Sequence, residues 1–155
     1  MLKLNVLIAG STGYIGIQLI KLLVKHRNVN IKFLCGSSSI GKSISFYDYS
    51  LKNKKLPRIV KFNKKYLKDV DIIFTALPNG EAQRISNYLL KHNTLIDLAA
   101  DFRLNKSKEY LKWYKKKHKA VNNIKKSIYA IPEITGKQVR NFNIIGCPGC
   151  YPTSI

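Results

Sequence analysis

The sequence predicts an α/β fold in which a doubly wound, mostly parallel sheet carries helices on both faces. Short apolar runs recur along the 155-residue chain in the way that buried parallel strands do. The first run leads through a glycine-rich turn into an amphipathic helix, and a later run repeats this strand, turn and helix order. We therefore expect one globular domain built on a parallel sheet.

Composition limits the class of protein. The chain is 45% hydrophobic and 23% charged, which is enough apolar sequence for a core. No run approaches the roughly 18 apolar residues of a membrane span, and the short run at 6–9 leads into a glycine turn instead of a signal-peptide cleavage site. Three cysteines, an odd number, argue against a disulfide framework. We expect a cytoplasmic protein without a membrane partner.

The net charge of +20 raises the question of a nucleic-acid partner, because lysine and arginine supply most non-specific affinity for phosphates. The lysines are spread through every segment, together with abundant asparagine and isoleucine, which indicates an AT-rich genome. The one dense run, 115–117, is typical of a solvated helix face. We do not expect nucleic-acid binding, although a basic nucleic-acid-binding module stays open as an alternative.

The first strand, turn and helix carry a candidate nucleotide site. We predict a buried strand over 2–9, a helix to about Lys25 and a second strand over 30–35. The turn has the spacing G-x-x-G-x-x-G, a variant of the dinucleotide fingerprint, which brings a pyrophosphate to the helix N-terminus. An ordinary structural turn is the alternative. The turn consists of Gly10, Ser11, Thr12, Gly13, Tyr14, Ile15 and Gly16.

The loop after the second strand indicates which dinucleotide is bound. NAD-specific folds place an acidic residue about 20 residues beyond the fingerprint. Here the first acidic residue is Asp48. In its place stands GSSSIGK at 36–42, whose hydroxyls and lysine suit a 2′-phosphate, so NADP(H) is favoured over NAD; an ordinary polar loop is the alternative. The candidate residues are Ser37, Ser38, Ser39 and Lys42.

A second strand, turn and helix follow. We predict a short strand over 58–62, a turn over 66–68 and a buried strand over 70–77. The turn Pro78-Asn79-Gly80 comes at the carboxyl end of that strand and should lie near the cofactor. A helix is expected to begin there and to end near Asn93. Its predicted core face consists of Ala82, Ile85, Tyr88 and Leu89.

A further strand over 94–100 opens directly into Asp101-Phe102-Arg103. The carboxylate and the guanidinium can pair with each other, or Arg103 can hold an anionic substrate. We then predict a helix from Asn105 or Ser107 to about His118, a strand over 127–131 and a turn or helix from Pro132. The side chains expected to point inward from the first of these helices are Tyr110, Leu111 and Tyr114.

The last ten residues carry a candidate nucleophile. A strand over 143–145 and a sharp turn at Pro148-Gly149 precede Cys150, where a helix could begin. A helix N-terminus stabilises a thiolate, so we expect the pKa of this cysteine to fall below about 8.5; a small buried residue is the alternative. Cys147 and Cys150 form C-x-x-C, but the three histidines have no metal-ligand spacing and we predict no metal site. A redox pair stays possible.

Five motifs occur in order along the chain: GSTGYIG, ALPNG, DLAADFRL, YAIPEI and PGCYPT. Together they resemble the nucleotide-binding half of the N-acetyl-gamma-glutamyl-phosphate reductase family, arginine-biosynthesis enzymes of the semialdehyde dehydrogenase superfamily. The resemblance covers essentially the whole chain. It implies a Rossmann-type NADP-binding domain over 1–149, and over 150–155 the start of the catalytic-cysteine helix and of a catalytic domain.

The resemblance also implies the chemistry. Cys150 would attack an acyl phosphate, expel phosphate and form a thioester, which hydride from NADPH would reduce to N-acetylglutamate 5-semialdehyde. The turn 10–16 would cradle the pyrophosphate and the loop 37–42 would face the adenosine phosphate. The residues implied to border the cofactor are Leu77, Pro78, Asn79 and Gly80. As candidate substrate-binding residues we add Asp101, Arg103 and Gly149.

Two departures from the family matter. Family members usually carry asparagine at the position of Cys147, so we hypothesise a reversible Cys147–Cys150 disulfide, which thiol titration with and without reductant would test. The family also continues into an α+β catalytic domain with an acid–base histidine and much of the dimer interface. A helix begun at Cys150 has only about one and a half turns by Ile155, which would weaken the shift in thiol pKa.

We therefore expect a fragment of a longer, homo-oligomeric enzyme, able to bind NADP but unable to turn over substrate alone. The alternatives are an enzyme similar to aspartate-semialdehyde dehydrogenase and a catalytically inactive nucleotide-binding fragment.

Overall fold

The computed structural model describes residues 3–154. Leu2, at the start of the predicted first strand, and Ile155, at the end of the predicted cysteine helix, lie outside the described residues. The chain forms two compact units, divided after Ala76. Within residues 3–154, no helix is long and apolar enough to cross a membrane.

The first unit is a four-stranded parallel sheet with one long helix. Strand β3 pairs with β2, β2 with β1, and β1 with β4, all in parallel. The turn predicted over 66–68 lies within one of three 3₁₀ helices, Lys64–Asp69. The elements are β1 (Leu4–Ala9), α1 (Tyr14–Leu23), β2 (Val29–Cys35), β3 (Ile59–Val60) and β4 (Ile72–Thr75).

The core of this unit forms where α1 packs on the sheet. Ile20 of α1 is fully buried with Val6 and Ile8 of β1 and Leu34 of β2. The central strand is buried along most of its length because its neighbours cover both edges and the helix covers a face. This packing fixes the start of α1 relative to the end of β1, where the glycine turn lies.

The second unit is a three-stranded parallel sheet in which β7 pairs with both β5 and β6. The parallel strands with intervening helices in both units confirm the predicted α/β class. The elements are α2 (Glu81–Ser86), β5 (Thr94–Asp97), α3 (Ser107–Tyr114), α4 (Val121–Ile124), β6 (Ser127–Tyr129), α5 (Pro132–Thr135), β7 (Ile144–Gly146) and α6 (Cys150–Ser154).

Several element ends differ from the prediction. Strand β5 ends at Asp97, not Ala100, because the Asp97 carboxylate accepts hydrogen bonds from the N–H groups of Ala99 and Asp101 and turns the chain. Helix α2 ends at Ser86, so Tyr88 lies beyond it and is 45% exposed; its prediction as a core residue is wrong.

Helix α3 ends four residues before His118. Lys115 takes the left-handed conformation, with φ of 56°, and its N–H bonds the carbonyl of Leu111, which closes the helix. Tyr110 is fully buried as predicted, whereas Leu111 is 44% exposed and is not a core residue. Helix α4 was not predicted, because its four residues carry no periodic pattern.

Candidate functional site

The glycine turn is tied to the end of β2. The backbone N–H groups of Gly10 and Ser11 both donate to the carbonyl of Cys35 at 3.0 Å, and the Ser11 hydroxyl donates to the same oxygen at 3.0 Å. Ser11 is fully buried. Three donors on one carbonyl fix the turn against the strand edge before any ligand binds.

Gly16 lies where the first turn of α1 meets the glycine turn. A Cβ at this position would overlap the carbonyl oxygen of Gly10 and lie 2.9 Å from the Cα of Ser11. Both neighbours are backbone atoms, so neither can move away cheaply. The third glycine of the spacing therefore serves close helix-to-turn packing, as the third glycine of the dinucleotide fingerprint does.

The start of α1 suits an anion. Gly13 is the N-cap, no side chain caps the helix, and the first turn has no acidic residue. Gly13 donates its N–H to the carbonyl of Gly10, whereas Tyr14 and Ile15 are exposed and their N–H groups have no acceptor within the helix. A helix N-terminus without its own carboxylate carries partial positive charge that a phosphate can neutralise. The predicted residues 10–16 thus fit the pyrophosphate of a dinucleotide.

The serine loop, 36–42, is held against β3. Gly41 donates its N–H to the carbonyl of Ile59 at 2.8 Å, and Ile59 donates back to the carbonyl of Lys42 at 3.0 Å. Ser39 has a positive φ of 59°, and its N-terminal neighbours Ser37 and Ser38 are exposed. The loop also begins beside the glycine turn, since a Cβ on Gly36 would lie 3.5 Å from Cγ2 of Thr12.

Two residues of this loop region were missed at the sequence level. The Tyr47 hydroxyl donates to Oγ of Ser39 at 2.6 Å, and Nη1 of Arg58 donates to the carbonyl of Gly41 at 2.8 Å. The Lys42 ammonium lies 4.2 Å from the centre of the Phe46 ring. Arg58 could have been suspected from its place at the start of a predicted strand beside the loop. Together these residues give the serine loop a cationic, hydroxyl-rich character that fits a phosphate.

Asp48, the first acidic residue, has other partners. Its carboxylate forms an ion pair with Lys21 and accepts hydrogen bonds from the hydroxyl and the N–H of Ser50. The hydrogen bond from Lys21, together with those from Ser50, lowers the pKa of this carboxyl to about 2. The Asp48 oxygens thus have partners within the protein. This agrees with the prediction that no carboxylate binds the ribose 2′-hydroxyl of the cofactor.

The second unit places the loop 77–80 on Asp101. The N–H of Gly80 donates to both carboxylate oxygens, at 2.7 and 2.9 Å. The same carboxylate accepts from the N–H and the side-chain amide of Gln83 and from the Tyr110 hydroxyl. Asp101 is fully buried. It therefore caps the start of α2, and its predicted contact with substrate stays a prediction.

His118 is hydrogen-bonded to the backbone carbonyl of Asp101. Its Nδ1 accepts the N–H of Ala120 at 3.2 Å, which leaves Nε2 to donate to the carbonyl of Asp101 at 2.9 Å. The ring meets Phe102 and Tyr110 edge-on. Burial lowers the pKa of His118 and raises that of Tyr110, so both groups are neutral and act as fixed hydrogen-bond partners.

Arg103 does not use Asp101 as its partner. Its Nε donates to the carbonyl of Cys147 at 2.8 Å, across 44 residues of sequence. Directly before Cys147, a Cβ on Gly146 would overlap the carbonyl oxygen of Phe102 and lie 2.7 Å from its carbonyl carbon. The segment 101–103 therefore contacts both the loop 77–80 and the segment that leads to the candidate nucleophile.

The three thiols have different surroundings. Cys150 is exposed and is the first residue of α6, where the Thr153 hydroxyl bonds the carbonyls of Gly149 and Cys150. Burial, with the nearby Asp97 carboxylate, raises the pKa of Cys147 to about 11, and burial raises that of Cys35 to about 12. Cys150 is thus the exposed one of the three thiols. Its role as nucleophile and the Cys147–Cys150 disulfide stay predictions.

Comparison with known proteins identifies the family. Residues 5–142 match the family model described as "Semialdehyde dehydrogenase, NAD binding domain". The N-acetyl-gamma-glutamyl-phosphate reductase of Brachyspira hyodysenteriae is 41% identical over 100% of this chain and 46% of its own length. That of Vesicomyosocius okutanii is 38% identical over 100% of this chain and 45% of its own length.

The fold has close counterparts among solved structures. Aspartate semialdehyde dehydrogenase II from Vibrio cholerae superposes with a TM-score of 0.62 at 23% identity, over 96% of this chain and 39% of that protein. This similarity bears on the fold alone. The chain spans less than half the length of each of these two reductases.

Proposed function

The chain belongs to the semialdehyde dehydrogenase family, and we propose that it is the NADP-binding part of an N-acetyl-gamma-glutamyl-phosphate reductase. The observation that carries the proposal is the 41% identity to a reductase of that name over the whole chain. Support comes from two local features, the open N-terminus of α1 behind the glycine turn and the exposed Cys150 at the start of α6. The complete reaction belongs to the full-length protein.

The proposed reaction proceeds through the Cys150 thiol. The thiolate attacks the acyl carbon of N-acetyl-gamma-glutamyl phosphate, the carbon–oxygen bond to phosphate breaks, and phosphate leaves with that electron pair. A thioester then joins the acyl group to Sγ. NADPH, when bound, would supply the hydride that reduces this thioester, and the Cys150 sulfur would leave as the thiolate when the carbon–sulfur bond breaks and the aldehyde is released. Arg103 and Gly149 remain our candidates for substrate contacts near this cysteine.

The first unit would hold the adenosine and pyrophosphate part of NADP(H). The turn 10–16 would bind the pyrophosphate at the positive end of α1, through N–H groups of the first helical turn such as those of Tyr14 and Ile15. Ser37, Ser38, Ser39 and Lys42 would bind the 2′-phosphate, with Arg58 adding positive charge beside Gly41. In the second unit, Leu77, Pro78, Asn79 and Gly80 would border the cofactor.

We further propose a cytoplasmic, homo-oligomeric enzyme whose partner molecule is a small acyl phosphate. Three free cysteines suit a reducing compartment. Size-exclusion chromatography of the full-length enzyme would test the oligomeric state, and a monomer would contradict it.

A binding assay tests the cofactor. NADPH and NADH are titrated separately into the 155-residue chain, with nucleotide fluorescence as the readout. We expect NADPH to bind more tightly, and Lys42→Ala to weaken NADPH by about tenfold while NADH is unchanged, because only NADPH has the 2′-phosphate. Lys55→Ala, another exposed lysine of the first unit, is the matched control. Equal affinities for the two nucleotides would contradict the choice of NADP.

A mass measurement tests the nucleophile. The chain is incubated with N-acetyl-gamma-glutamyl phosphate at neutral pH, quenched in acid and digested for mass spectrometry. We expect an acyl adduct on the peptide that contains Cys150, at that sulfur and not at Cys147. Cys150→Ser should remove the adduct and Cys147→Ser should retain it. An adduct on Cys147 alone would refute the assignment.

A further inference from the structure

Three consecutive residues hold two separate loops of the second unit. The Asp101 carboxylate binds the loop 77–80 through the N–H of Gly80. The Arg103 side chain binds the carbonyl of Cys147. Between them, the backbone of Phe102 lies so close to Gly146 that no side chain fits there. Neither loop contacts the other through these bonds, yet both depend on the same tripeptide.

The Asp101 carboxylate holds the main chain of the second unit in place. Four donors reach its two oxygens, and all the distances lie between 2.7 and 3.3 Å. Two of the donors are backbone N–H groups, at Gly80 and Gln83, so the carboxylate fixes main chain. The backbone of Asp101 is itself held, because its N–H donates to Asp97 and its carbonyl accepts from His118. Loop 77–80 is thus hydrogen-bonded to a carboxylate whose own backbone is held at both its N–H and its carbonyl.

The Arg103 contact holds the approach to the nucleophile. Cys147 is fixed on one side by its N–H, which bonds the carbonyl of Asp97 at 2.8 Å, and on the other by its carbonyl, which accepts from Arg103. Only Pro148 and Gly149 separate this anchored peptide from Cys150. Nε is the donor, so one edge of the guanidinium is engaged with the protein whatever else the side chain binds.

We propose that the tripeptide 101–103 positions two parts of the second unit, the loop 77–80 and the segment 147–150, with Asp101 and Arg103 as the positioning residues. The proposal rests on the proposed function, since it takes loop 77–80 to border the cofactor and Cys150 to be the nucleophile. Asp101 acts on cofactor affinity through Gly80. Arg103 acts on the reactivity of Cys150 through Cys147.

The positioning role of Asp101 is tested by cofactor binding. In Asp101→Asn an amide nitrogen replaces an acceptor oxygen, and we expect NADPH and NADH to weaken equally, by about tenfold, because loop 77–80 borders the part that both share. Tyr110→Phe removes one donor to the same carboxylate and should weaken both about threefold. Asp71→Asn is the control, since it makes the same carboxylate-to-amide change at a residue of the first unit that also accepts a backbone N–H, that of Asn5.

Stability is separated from positioning by measuring every affinity at a temperature where circular dichroism finds the variant fully folded. A folded Asp101→Asn variant with affinities for NADPH and NADH within twofold of the wild type would overturn the positioning role of Asp101. If that variant does not fold, Tyr110→Phe decides, and unchanged affinities in Tyr110→Phe would overturn it. A wild-type chain that binds neither nucleotide would instead refute the proposed function.

The positioning role of Arg103 is tested with iodoacetamide, a neutral reagent that does not resemble the anionic substrate. Arg103→Lys keeps the positive charge and loses the Nε–H donor, so the segment that leads to Cys150 loses one anchor and we expect alkylation of Cys150 to slow by about fivefold at pH 7.5. Arg140→Lys, at an exposed arginine of the same unit, is the control. A rate in Arg103→Lys equal to that of the control would mean that Arg103 serves substrate alone.

Discussion

Replacement of Gly16 by alanine tests the packing of the glycine turn. The new Cβ would overlap the carbonyl oxygen of Gly10 and lie 2.9 Å from the Cα of Ser11. Those backbone atoms are held in turn by the bonds from Gly10 and Ser11 to Cys35. The strain must therefore be relieved by moving the start of α1 away from the turn.

Two opposing effects set the magnitude. Alanine is a better helix former than glycine by about 1 kcal/mol, which alone would stabilise α1. Overpacking against a rigid neighbour costs about 1–3 kcal/mol, and the upper end applies here because the neighbours are main chain. We expect Gly16→Ala to lower the free energy of unfolding by about 1–2 kcal/mol, or the midpoint of thermal unfolding by about 2–8 °C.

Urea unfolding followed by circular dichroism measures the loss. Gln18→Ala, at an exposed position of the same helix, is the control and should change stability by less than about 0.5 kcal/mol. NADPH affinity should also fall in Gly16→Ala, because the displaced N–H groups no longer meet the pyrophosphate together. A variant as stable as the wild type, with unchanged affinity, would refute the reasoning.

Three further predictions follow from the structure. At pH 8 iodoacetamide should label Cys150 alone, since pKa values of about 11 and 12 leave Cys147 and Cys35 only about 10⁻³ and 10⁻⁴ ionised; a second thiol labelled as fast would contradict this. Asp48, with a folded pKa of about 2, stabilises the fold above its ordinary pKa near 3.8 and loses this effect as pH falls toward 2. The thermal midpoint of Asp48→Asn should therefore lie below that of the wild type at pH 7, and the difference should shrink as pH falls toward 2, whereas equal midpoints at pH 7 would count against the ion pair. Gly146→Ala should lower the free energy of unfolding in urea by about 1–3 kcal/mol, because the added methyl group would overlap the Phe102 carbonyl oxygen. An unchanged free energy of unfolding would show that the backbone moves aside.

The strands and the glycine turn were predictable because their signals are local. Apolar runs mark β1, β2, β4 and β5, and the turn 10–16 declares itself by glycine spacing directly between a strand and a helix. The ends of elements were less predictable because distant or irregular bonds decide them. Asp97 ends its strand by accepting two N–H groups beyond it, and no apolar pattern records that bond.

The serine loop was predicted in part. Its hydroxyls and Lys42 are visible in the sequence, and they suggested a phosphate. Tyr47 and Arg58 escaped notice because they reach the loop from 8 and 17 residues away, through a side chain–side chain and a side chain–backbone bond. Such contacts depend on how β3 returns beside β2, which the residue pattern alone does not specify.

Asp101 shows most clearly why sequence reasoning stopped short. An acidic residue next to an arginine invites the interpretation of an ion pair, yet the structure buries the carboxylate completely and gives it four uncharged donors instead. Burying a carboxylate is expensive unless hydrogen bonds satisfy it, as these four donors do. An asparagine could not accept at both oxygens from all these donors. Because two of those donors are backbone N–H groups, Asp101 fixes the main chain at Gly80 and Gln83, and we expect its replacement to lower cofactor affinity as well as stability.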